Sequence, residues 1–538
     1  MVVYSGMPMC AGYAIGRIKY LDDSGNTIKY KEAENVEAEV KRFNDARRKA
    51  KKVYRVLAEN AMRQLGPQDA GIFSAQALIL DDEEYISLVI SNIEKNKATA
   101  EYAITKVGDY FLKIFLDIDD DIISGRGADV QDITQRLLTI LTGEDNRPKN
   151  VSEDVILIAN QLLPSDVMRF DKDHVGSFIV KSGNCDSHVG ILARTLGIPS
   201  AICQDVADDL NGQLGIVDGY EGKLVVDPTD DILAIYHDKI KEKEDKRFEL
   251  NGLKGVLSVT RTGKTIRVKA NIGDIKDIVS ALDNDAEGIG LFRSEFLYLN
   301  RKNAPSEDYQ YGIYKQILEQ MQGRPVTIRT LDIGADKQVD YFDFEAEANP
   351  ALGYRGIRVC LDRVDIFKTQ LRALFRASAH GHLSIMYPMI TSLAEVEAIK
   401  EISAQVRREL LTSGIDIGNV REGIMIETPA AALISDELAK HVDFFSIGTN
   451  DLTQYTLAAD RQSMLIGSVY NSKHPAVMKL IRQTIDNGHN AGIKVCICGE
   501  AAADTSLTAA FVQMGVDELS VNPSSVLAVR EAIITGRA

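Results

Sequence analysis

The sequence predicts a multidomain α/β protein whose C-terminal half is a (β/α)8 barrel. Its 538 residues exceed a single hydrophobic core, because such cores stop growing at about 250–300 residues. After residue 265, eight short apolar runs alternate with helical patterns, which is the repeat of a (β/α)8 barrel. Before residue 228, short apolar runs flank a long stretch of helical periodicity. The order predicts an α/β domain with an inserted helical subdomain, followed by a linker helix and the barrel.

The α/β domain is predicted from two separated segments, residues 1–30 and 144–227. Residues 14–20 alternate between apolar and polar side chains, as a half-buried strand does. Further short apolar runs in the second segment predict strands at 155–158, 177–180, 213–217 and 223–226. The segment between, residues 31–143, repeats apolar side chains at helical spacing among many charges. Solvation is the ordinary explanation of its charged faces; helical pairs are also common docking surfaces, but the sequence alone gives no reason to prefer docking.

A charged run at residues 239–247 predicts that residues 228–255 form an exposed linker helix. Residues 256–538 then form the barrel. Its eight strands are predicted at 266–270, 288–292, 326–331, 383–387, 423–426, 444–447, 495–497 and 518–521. In such barrels the active site lies at the C-terminal ends of the strands. Polar residues follow the strands there: Arg293, Glu295, Arg329, Asp332, Glu427, Asn450, Asp451, Cys498 and Glu500.

Composition restricts the class of partner. The net charge of −16 disfavours nucleic acid and anionic membranes as partners. No apolar run approaches the length of a membrane span, and no secretory signal is recognisable at the N-terminus. Six scattered cysteines in so long a chain do not form a disulfide framework, so reduced thiols are expected. A cytoplasmic protein is predicted.

Arginines are concentrated at the predicted mouth of the barrel. Arg293, Arg329, Arg355 and Arg358, with Lys337, suit a ligand that carries both carboxylate and phosphate. The alternative is that each arginine pairs with a surface carboxylate. A P-loop resemblance at residues 262–265 is set aside, because a strand rather than a helix follows it.

Two acids and a thiol complete the predicted mouth. Glu427 and Asp451 follow adjacent strands and offer oxygen ligands to Mg²⁺, although both could be structural, and Asp451 could simply begin a helix. Cys498 could donate a proton or be a packed thiol. Zinc is not expected at Cys496 and Cys498, because no second Cys or His pair accompanies them.

His188 lies where a predicted turn passes into a helix. Residues 176–180 predict a buried strand, and residues 189–196 predict a helix that ends at Gly197. Free N–H groups and the helix dipole favour anions at such a position, so a phosphoryl group on the imidazole would be stabilised. An ordinary surface or packing histidine is the alternative.

These residues stand in motifs that resemble one enzyme family nearly end to end. The resemblance is to the phosphoenolpyruvate:protein phosphotransferases, the enzymes I of bacterial sugar phosphotransferase systems, within the phosphoenolpyruvate (PEP)-utilising enzymes. The matching segments are 183–194, 288–296, 329–337, 349–355, 427–431 and 444–461.

The resemblance implies a function for each candidate residue. His188, in a swivelling phosphohistidine domain, would accept the phosphoryl group of PEP and pass it to a histidine of the phosphocarrier protein HPr, with release of pyruvate. Glu427 and Asp451 would bind Mg²⁺, and Cys498 would protonate the enolpyruvate carbon. The PEP-binding residues would be Arg293, Arg329, Lys337, Arg355, Asn450 and Arg461. The helical subdomain would dock HPr, and the barrel would form a homodimer.

Two segments depart from the family pattern. The family usually has Gly-Gly-Arg-Thr-Ser-His where this chain has Gly-Asn-Cys-Asp-Ser-His at 183–188. A carboxylate at Asp186, if ~4 Å from the phosphoryl group, would cost about 1 kcal/mol in water and about 4 kcal/mol at an intermediate dielectric. It could instead accept an imidazole N–H and fix the tautomer. Residues 498–503 read Cys-Gly-Glu-Ala-Ala-Ala instead of the usual Cys-Gly-Glu-Leu-Ala-Gly.

Two alternatives to a phosphotransferase remain. Pyruvate phosphate dikinase and PEP synthase share the histidine domain and barrel, but no ATP-binding domain is recognisable in this sequence. The other is a weakened paralogue that binds the phosphocarrier as a regulator, for which Asp186 is the direct support.

Overall fold

The computed structural model describes residues 1–536 except 22–27, 65–66, 117–125, 144–154, 171–174, 186, 300, 302, 335–338, 343, 346, 462, 464–465 and 467–468. The chain divides into two compact units, Met1–Asp245 and Lys246–Ala538. One open sheet lies in the first unit and one closed barrel in the second. The predicted fold class is confirmed, whereas the boundaries of the domains stay a prediction.

The first unit contains an eight-stranded sheet among its described residues. Its strands are β1 (Val2–Ser5), β2 (Met7–Cys10), β3 (Tyr13–Tyr20), β4 (Val155–Ala159), β5 (Val175–Val180), β6 (Ser200–Ile202), β7 (Leu214–Asp218) and β8 (Lys223–Val226). Their order is β1-β8-β7-β3-β4-β5-β6-β2, and β3 to β6 are mutually parallel. The strands β1, β2 and β6 were not predicted, because three or four residues are too few to show a period.

The helices between β3 and β4, called the helical block below, pack on this sheet. They are α1 (Val36–Gln64), α2 (Pro67–Ile79), α3 (Glu83–Asn96), α4 (Ala100–Leu116) and α5 (Arg126–Thr142). Two further helices, α6 (Pro164–Val167) and α7 (His188–Leu196), follow β4 and β5. One hydrophobic cluster includes Phe43 and Tyr54 of α1, Phe178 of β5 and Leu192 of α7. The helical block and the sheet therefore share an apolar core.

The predicted linker helix is α8 (Asp230–Asn251). It ends four residues before the predicted limit of the linker, and its first half packs on the sheet. Tyr236 donates a hydrogen bond to Asp218 Oδ2 at 2.9 Å, and Lys243 lies 4.1 Å from the ring centre of Tyr220. Lys239 lies 4.4 Å from the ring centre of Tyr236, so a cation–π contact adds to the burial of that ring.

All eight barrel strands were predicted close to their observed positions. They are β9 (Arg267–Ile272), β10 (Ile289–Arg293), β11 (Val326–Arg329), β12 (Leu383–Tyr387), β13 (Arg421–Ile426), β14 (Phe444–Gly448), β15 (Lys494–Cys498) and β16 (Glu518–Val521). Each is parallel to its neighbours, and β16 pairs with β9 to close the sheet. The C-terminal ends of the strands consequently meet around one rim, which collects the polar residues that follow them.

Helices surround the barrel. They are α9 (Asp277–Asp283), α10 (Glu307–Gln320), α11 (Ile357–Asp362), α12 (Val364–Ala377), α13 (Leu393–Thr412), α14 (Pro429–Leu433), α15 (Ser435–Leu438), α16 (Thr449–Leu457), α17 (Pro475–Asn490), α18 (Glu500–Ala503), α19 (Thr505–Met514) and α20 (Val526–Thr535). Their apolar faces and the outer faces of the strands form the largest hydrophobic cluster of the described chain. None of the helices that the structure describes has the length and apolar character needed to span a bilayer.

Candidate active site

His188 is the first residue of α7, and its side chain is exposed. The hydroxyl of Ser187 accepts a hydrogen bond from the backbone N–H of Gly190 at 3.3 Å, which is a normal N-cap. The helix ends at Gly197, whose φ of 68° is left-handed. The imidazole is thus presented to solvent at the electropositive end of a capped helix.

The loop before His188 is held tightly against its helix. Arg194 donates a hydrogen bond to the carbonyl oxygen of Cys185 at 2.8 Å, and the Cys185 thiol donates to the carbonyl oxygen of Pro8 at 3.2 Å. A Cβ on Gly190 would lie only 2.0 Å from that Cys185 oxygen, so glycine is required there. Asp186, where the sequence departs from the family, lies outside the described residues.

In the barrel unit, Asp332 joins two of the predicted arginines. It follows β11 and is only 2% exposed. Arg355 donates to its two oxygens at 2.9 and 3.1 Å through Nη2, and Arg329 Nη1 lies 3.1 Å from Oδ2. Arg329 also pairs with Glu295, and Arg355 Nη2 lies 3.5 Å from Asp451 Oδ2. Positive and negative side chains therefore alternate from Glu295 to Asp451.

Burial and neighbouring charges act in opposite directions on Arg329. Desolvation acts to lower the pKa of its guanidinium, but the charges of Glu295 and Asp332 outweigh burial and raise that pKa. The same competition, with Asp332 and Asp451 as the acids, raises the pKa of Arg355. Both guanidinium groups are thus held charged in the interior, as the alternative of carboxylate pairing anticipated, although the pairs are buried instead of superficial.

Glu427 lies beside this alternating row. Its Oε1 accepts a hydrogen bond from the backbone N–H of Met389 at 2.6 Å. Burial, then the charge of Asp451 and then that of Asp332, raises the pKa of Glu427 to about 8. Gly448 lies close by, and a Cβ there would approach Glu427 Oε2 to 3.1 Å. The absence of a side chain at Gly448 therefore lets the backbone of β14 pass close to this carboxylate.

The donor set fits Mg²⁺. Glu427 and Asp451 supply two carboxylates, and no cluster of three potential metal ligands exists among the residues that the structure describes. Mg²⁺ needs only one or two carboxylates, since waters and substrate oxygens complete its octahedron. Four buried carboxylates, Glu295, Asp332, Glu427 and Asp451, face the guanidinium groups of Arg329 and Arg355. The negative charges of Asp451 and Asp332, which with burial raise the pKa of Glu427, also favour a bound cation beside it.

Cys498 ends β15 inside the barrel and is 1% exposed. Its sulfur accepts a hydrogen bond from the hydroxyl of Ser446 at 3.3 Å and donates to the carbonyl oxygen of Ile447 at 3.4 Å. Burial raises the pKa of the thiol to about 11, so it keeps its proton at neutral pH. Both the packed thiol and the proton donor of the sequence analysis are compatible with this environment.

The other predicted site residues differ in their surroundings. Arg293 is directly opposite Arg329 in the register of β10 and β11, and it has no ion pair within the described part of the chain. Asn450 exchanges hydrogen bonds with Glu500, at 3.2 Å through Nδ2 and 3.0 Å through Oδ1. Arg461 is exposed, and its backbone N–H donates a hydrogen bond to Gln454 Oε1 at 3.1 Å. Lys337 lies outside the described residues.

Two acids of the alternating row had no role assigned in the sequence analysis. Glu295 and Asp332 appeared only as polar residues after strands, yet they neutralise Arg329 and Arg355. A buried guanidinium requires a carboxylate partner, but the sequence did not reveal that these arginines are buried. Arg358, by contrast, donates to the carbonyl oxygens of Leu352 and Gly353, away from this cluster.

Replacing Asp332 by alanine is expected to destabilise the barrel by about 3–5 kcal/mol, because two buried guanidinium groups lose a partner. The change is measured as the shift of the barrel's unfolding transition in urea by circular dichroism. Glu319→Ala, which removes a half-exposed carboxylate 3.8 Å from Lys315, should cost less than about 1 kcal/mol. Equal effects of the two variants would contradict this account of Asp332.

A buried row of paired acids and arginines beside a buried thiol, at the C-terminal rim of a parallel barrel, defines an enzyme of the (β/α)8 class. Family profiles agree with this class. The profile of the PEP-utilising enzyme, PEP-binding domain matches residues 248–537. Those of the N-terminal and mobile domains of the same enzymes match residues 5–126 and 151–222.

Curated relatives refine the class. Phosphoenolpyruvate-protein phosphotransferases from Bacillus sp. (strain S) and Geobacillus stearothermophilus are each 40% identical over 529 residues, with 98% of this chain and 92% of theirs covered. A solved structure described as the NMR solution structure of Enzyme I is 29% identical, covers 45% of this chain and 99% of its own, and has a TM-score of 0.39. The chain belongs to the PEP-utilising enzyme family, in the group of phosphoenolpyruvate-protein phosphotransferases.

Proposed function

We propose that the chain transfers the phosphoryl group of PEP to its own His188 and then to a histidine of HPr, releasing pyruvate as the first step of sugar uptake by a phosphotransferase system. The observation that carries the proposal is the exposed imidazole of His188 at a capped helix N-terminus. It occurs in a chain whose relatives are named for PEP-dependent transfer to protein.

The buried arginines suit the substrate. Arg329 and Arg355, with Arg293 at the adjacent strand end, offer planar donors to the carboxylate and phosphate of PEP. Asn450, Arg461 and Lys337 complete the binding set by resemblance. In-line phosphoryl transfer depends on positioning and charge neutralisation more than on covalent help from the protein.

Glu427 and Asp451 would hold Mg²⁺ beside these arginines. When bound, the ion neutralises charge on the substrate's oxygens. His188 acts as the nucleophile through one neutral ring nitrogen, and the Cys498 thiol delivers its proton to the methylene carbon of the departing enolpyruvate. The raised pKa of Cys498 keeps that proton available at neutral pH.

Transfer in two steps requires His188 to meet two partners in turn. PEP binds to the barrel unit, whereas His188 belongs to the other compact unit, so a domain swing must alternate the two encounters. By resemblance, residues 31–143 dock HPr, residues 1–30 and 144–227 carry the phosphohistidine, and the barrel forms a homodimer. A cytoplasmic location accords with the free thiols of the described cysteines.

Incubation with PEP and Mg²⁺ is expected to add one phosphoryl group to the chain, measured by intact mass. His188→Ala should abolish the gain, because this variant lacks the imidazole that accepts the phosphoryl group. His237→Ala removes another exposed histidine of the same unit and should leave the gain unchanged.

The same experiment separates the alternative functions. A gain that survives His188→Ala would overturn the assignment of the nucleophile. Absence of any gain in the wild-type chain would favour the regulatory paralogue.

A further inference from the structure

A buried polar cluster lies where the helical block meets the α/β part of the first unit. We call it the Asp132 cluster; its members are Tyr54 of α1, Asp132 and Arg136 of α5, and Ser165 of α6. All four are at most 3% exposed. Charged side chains are rarely buried unless a specific partner holds them, so the cluster calls for an explanation.

Asp132 accepts hydrogen bonds from both sides of this boundary. From the helical block, the Tyr54 hydroxyl donates to Oδ1 at 2.8 Å. From the α/β part, the Ser165 hydroxyl donates to the same oxygen at 2.7 Å, and the Ser165 backbone N–H donates to Oδ2 at 3.1 Å. Arg136 Nη2 donates to the Ser165 hydroxyl oxygen at 3.1 Å. One carboxylate therefore links α1, α5 and α6.

The hydrogen bond from the Ser165 N–H to Asp132 lies at the N-terminus of helix α6. Helix α6 begins after Leu163, whose aliphatic side chain makes no capping hydrogen bond. An N-cap residue normally satisfies the first free N–H groups of its own helix. Here Asp132, from a different subdomain, accepts from the first turn of α6 instead. The Ser165 N–H therefore takes its acceptor from the helical block, while the next N–H groups of α6 bond to the carbonyl oxygen of Leu163.

Helix α6 connects the Asp132 cluster to the helix that carries His188. Helix α6 packs against α7, which begins with His188. Val167 of α6 and Val189 of α7 belong to the same hydrophobic cluster as Phe43 of the helical block. A shift of the helical block on α6 would break the hydrogen bonds of a buried charge, which strongly disfavours alternative arrangements.

We infer that Asp132, with Tyr54 and Ser165, positions the helical block relative to His188 for transfer to the acceptor protein. The inference rests on the proposed function, in which the acceptor docks on that block while it receives the phosphoryl group. Asp132 is a positioning residue: it fixes where the helical block lies on α6 and touches neither substrate.

The kinetic test uses the full-length Asp132→Asn variant, which keeps the side chain's size and removes its charge. The rate of transfer from phosphorylated His188 is measured against HPr concentration. The KM for HPr is expected to rise about tenfold, because a misplaced docking surface loses alignment with the imidazole. Loading of His188 from PEP should be no slower, because it uses no residue of the helical block.

Asp129→Asn is the matched control. Asp129 lies on the same helix, is also buried, and accepts a hydrogen bond from Gln76 of α2 at 3.0 Å, within the helical block. It should leave the KM for HPr unchanged. Ser165→Ala is a milder change on the other side of the boundary and should raise the KM for HPr roughly threefold. It keeps the test valid if the Asp132→Asn variant fails to fold. The inference would be overturned if the KM for HPr stayed unchanged in both Asp132→Asn and Ser165→Ala. It would also be overturned if that KM rose as much in Asp129→Asn as in Asp132→Asn.

A structural measurement separates this inference from the proposed function. Spin labels at the exposed positions 95 on α3 and 195 on α7 report the distance between block and phosphohistidine helix, with Cys185 replaced by serine. One narrow distance distribution is expected in the control and a broader or shifted one in Asp132→Asn. Identical distributions would overturn the inference whether or not the chain is phosphorylated by PEP. Failure of wild-type phosphorylation would overturn only the function.

Discussion

Replacing Glu427 by glutamine is expected to slow phosphorylation of His188 by about 10²–10³-fold, the usual cost of losing one electrostatic contact to a transition state. Glu427 is 1% exposed and shares its environment with Asp451 and Asp332. Glutamine keeps the shape but removes the negative charge that would hold Mg²⁺. The rate is measured by quenched intact-mass sampling at a series of Mg²⁺ concentrations.

Glu422→Gln is the control for this prediction. Glu422 lies on the same strand, β13, but near its opposite end, where it accepts hydrogen bonds from Tyr387, Ser403 and Arg407. Its replacement should lower stability while leaving the Mg²⁺ dependence of phosphorylation unchanged. If Glu427→Gln retained wild-type rates at every Mg²⁺ concentration, the metal assignment would be wrong.

Replacing Cys498 by alanine is expected to lower the rate of pyruvate formation by about 10²–10⁴-fold, the range for loss of a positioned general acid. The neutral thiol is the donor form. Because burial raises its pKa to about 11, the rate should not fall through thiol ionisation between pH 7 and 9. Pyruvate is measured with a coupled lactate dehydrogenase assay.

Cys496→Ala separates chemistry from packing. Cys496 is buried on the same strand and has the same side-chain direction as Cys498, being two residues away. Its loss removes a comparable volume but no residue of the predicted site. Wild-type turnover is therefore expected for Cys496→Ala, and equal losses in the two variants would identify Cys498 as a packed thiol.

The barrel was predictable because each strand is a short apolar run bounded by polar residues, and because parallel closure brings every strand end to one rim. The identities of Arg329, Glu427 and Cys498 could be selected on that basis alone. Their partners could not. Asp332 bonds Arg355, which is 23 residues away, and Ser446 bonds Cys498, which is 52 residues away. Such pairs depend on which strands are neighbours and on where each side chain ends.

The first unit shows the same limit at its internal boundary. Periodicity predicted the helices α1 and α5, since their apolar positions recur at helical spacing. It gave no sign that Asp132 and Tyr54 are buried together, because both residues are polar enough to belong to a solvated face. Burial of Asp132 follows from Ser165, which comes after another strand and has no sequence pattern of its own.

Arg329 and Arg355, the two buried arginines that contact Asp332, are both already paired with carboxylates. An anion therefore cannot bind to them without displacing a partner. An incoming carboxylate or phosphate must compete with Asp332 or Glu295 for the Nη donors of these arginines, so the free energy of binding is the difference between the bonds gained and the bonds lost. A ligand of high charge wins that exchange more readily than one of low charge. A ligand of low charge would therefore return to solvent more readily, as the protein's own carboxylates pair with the arginines again.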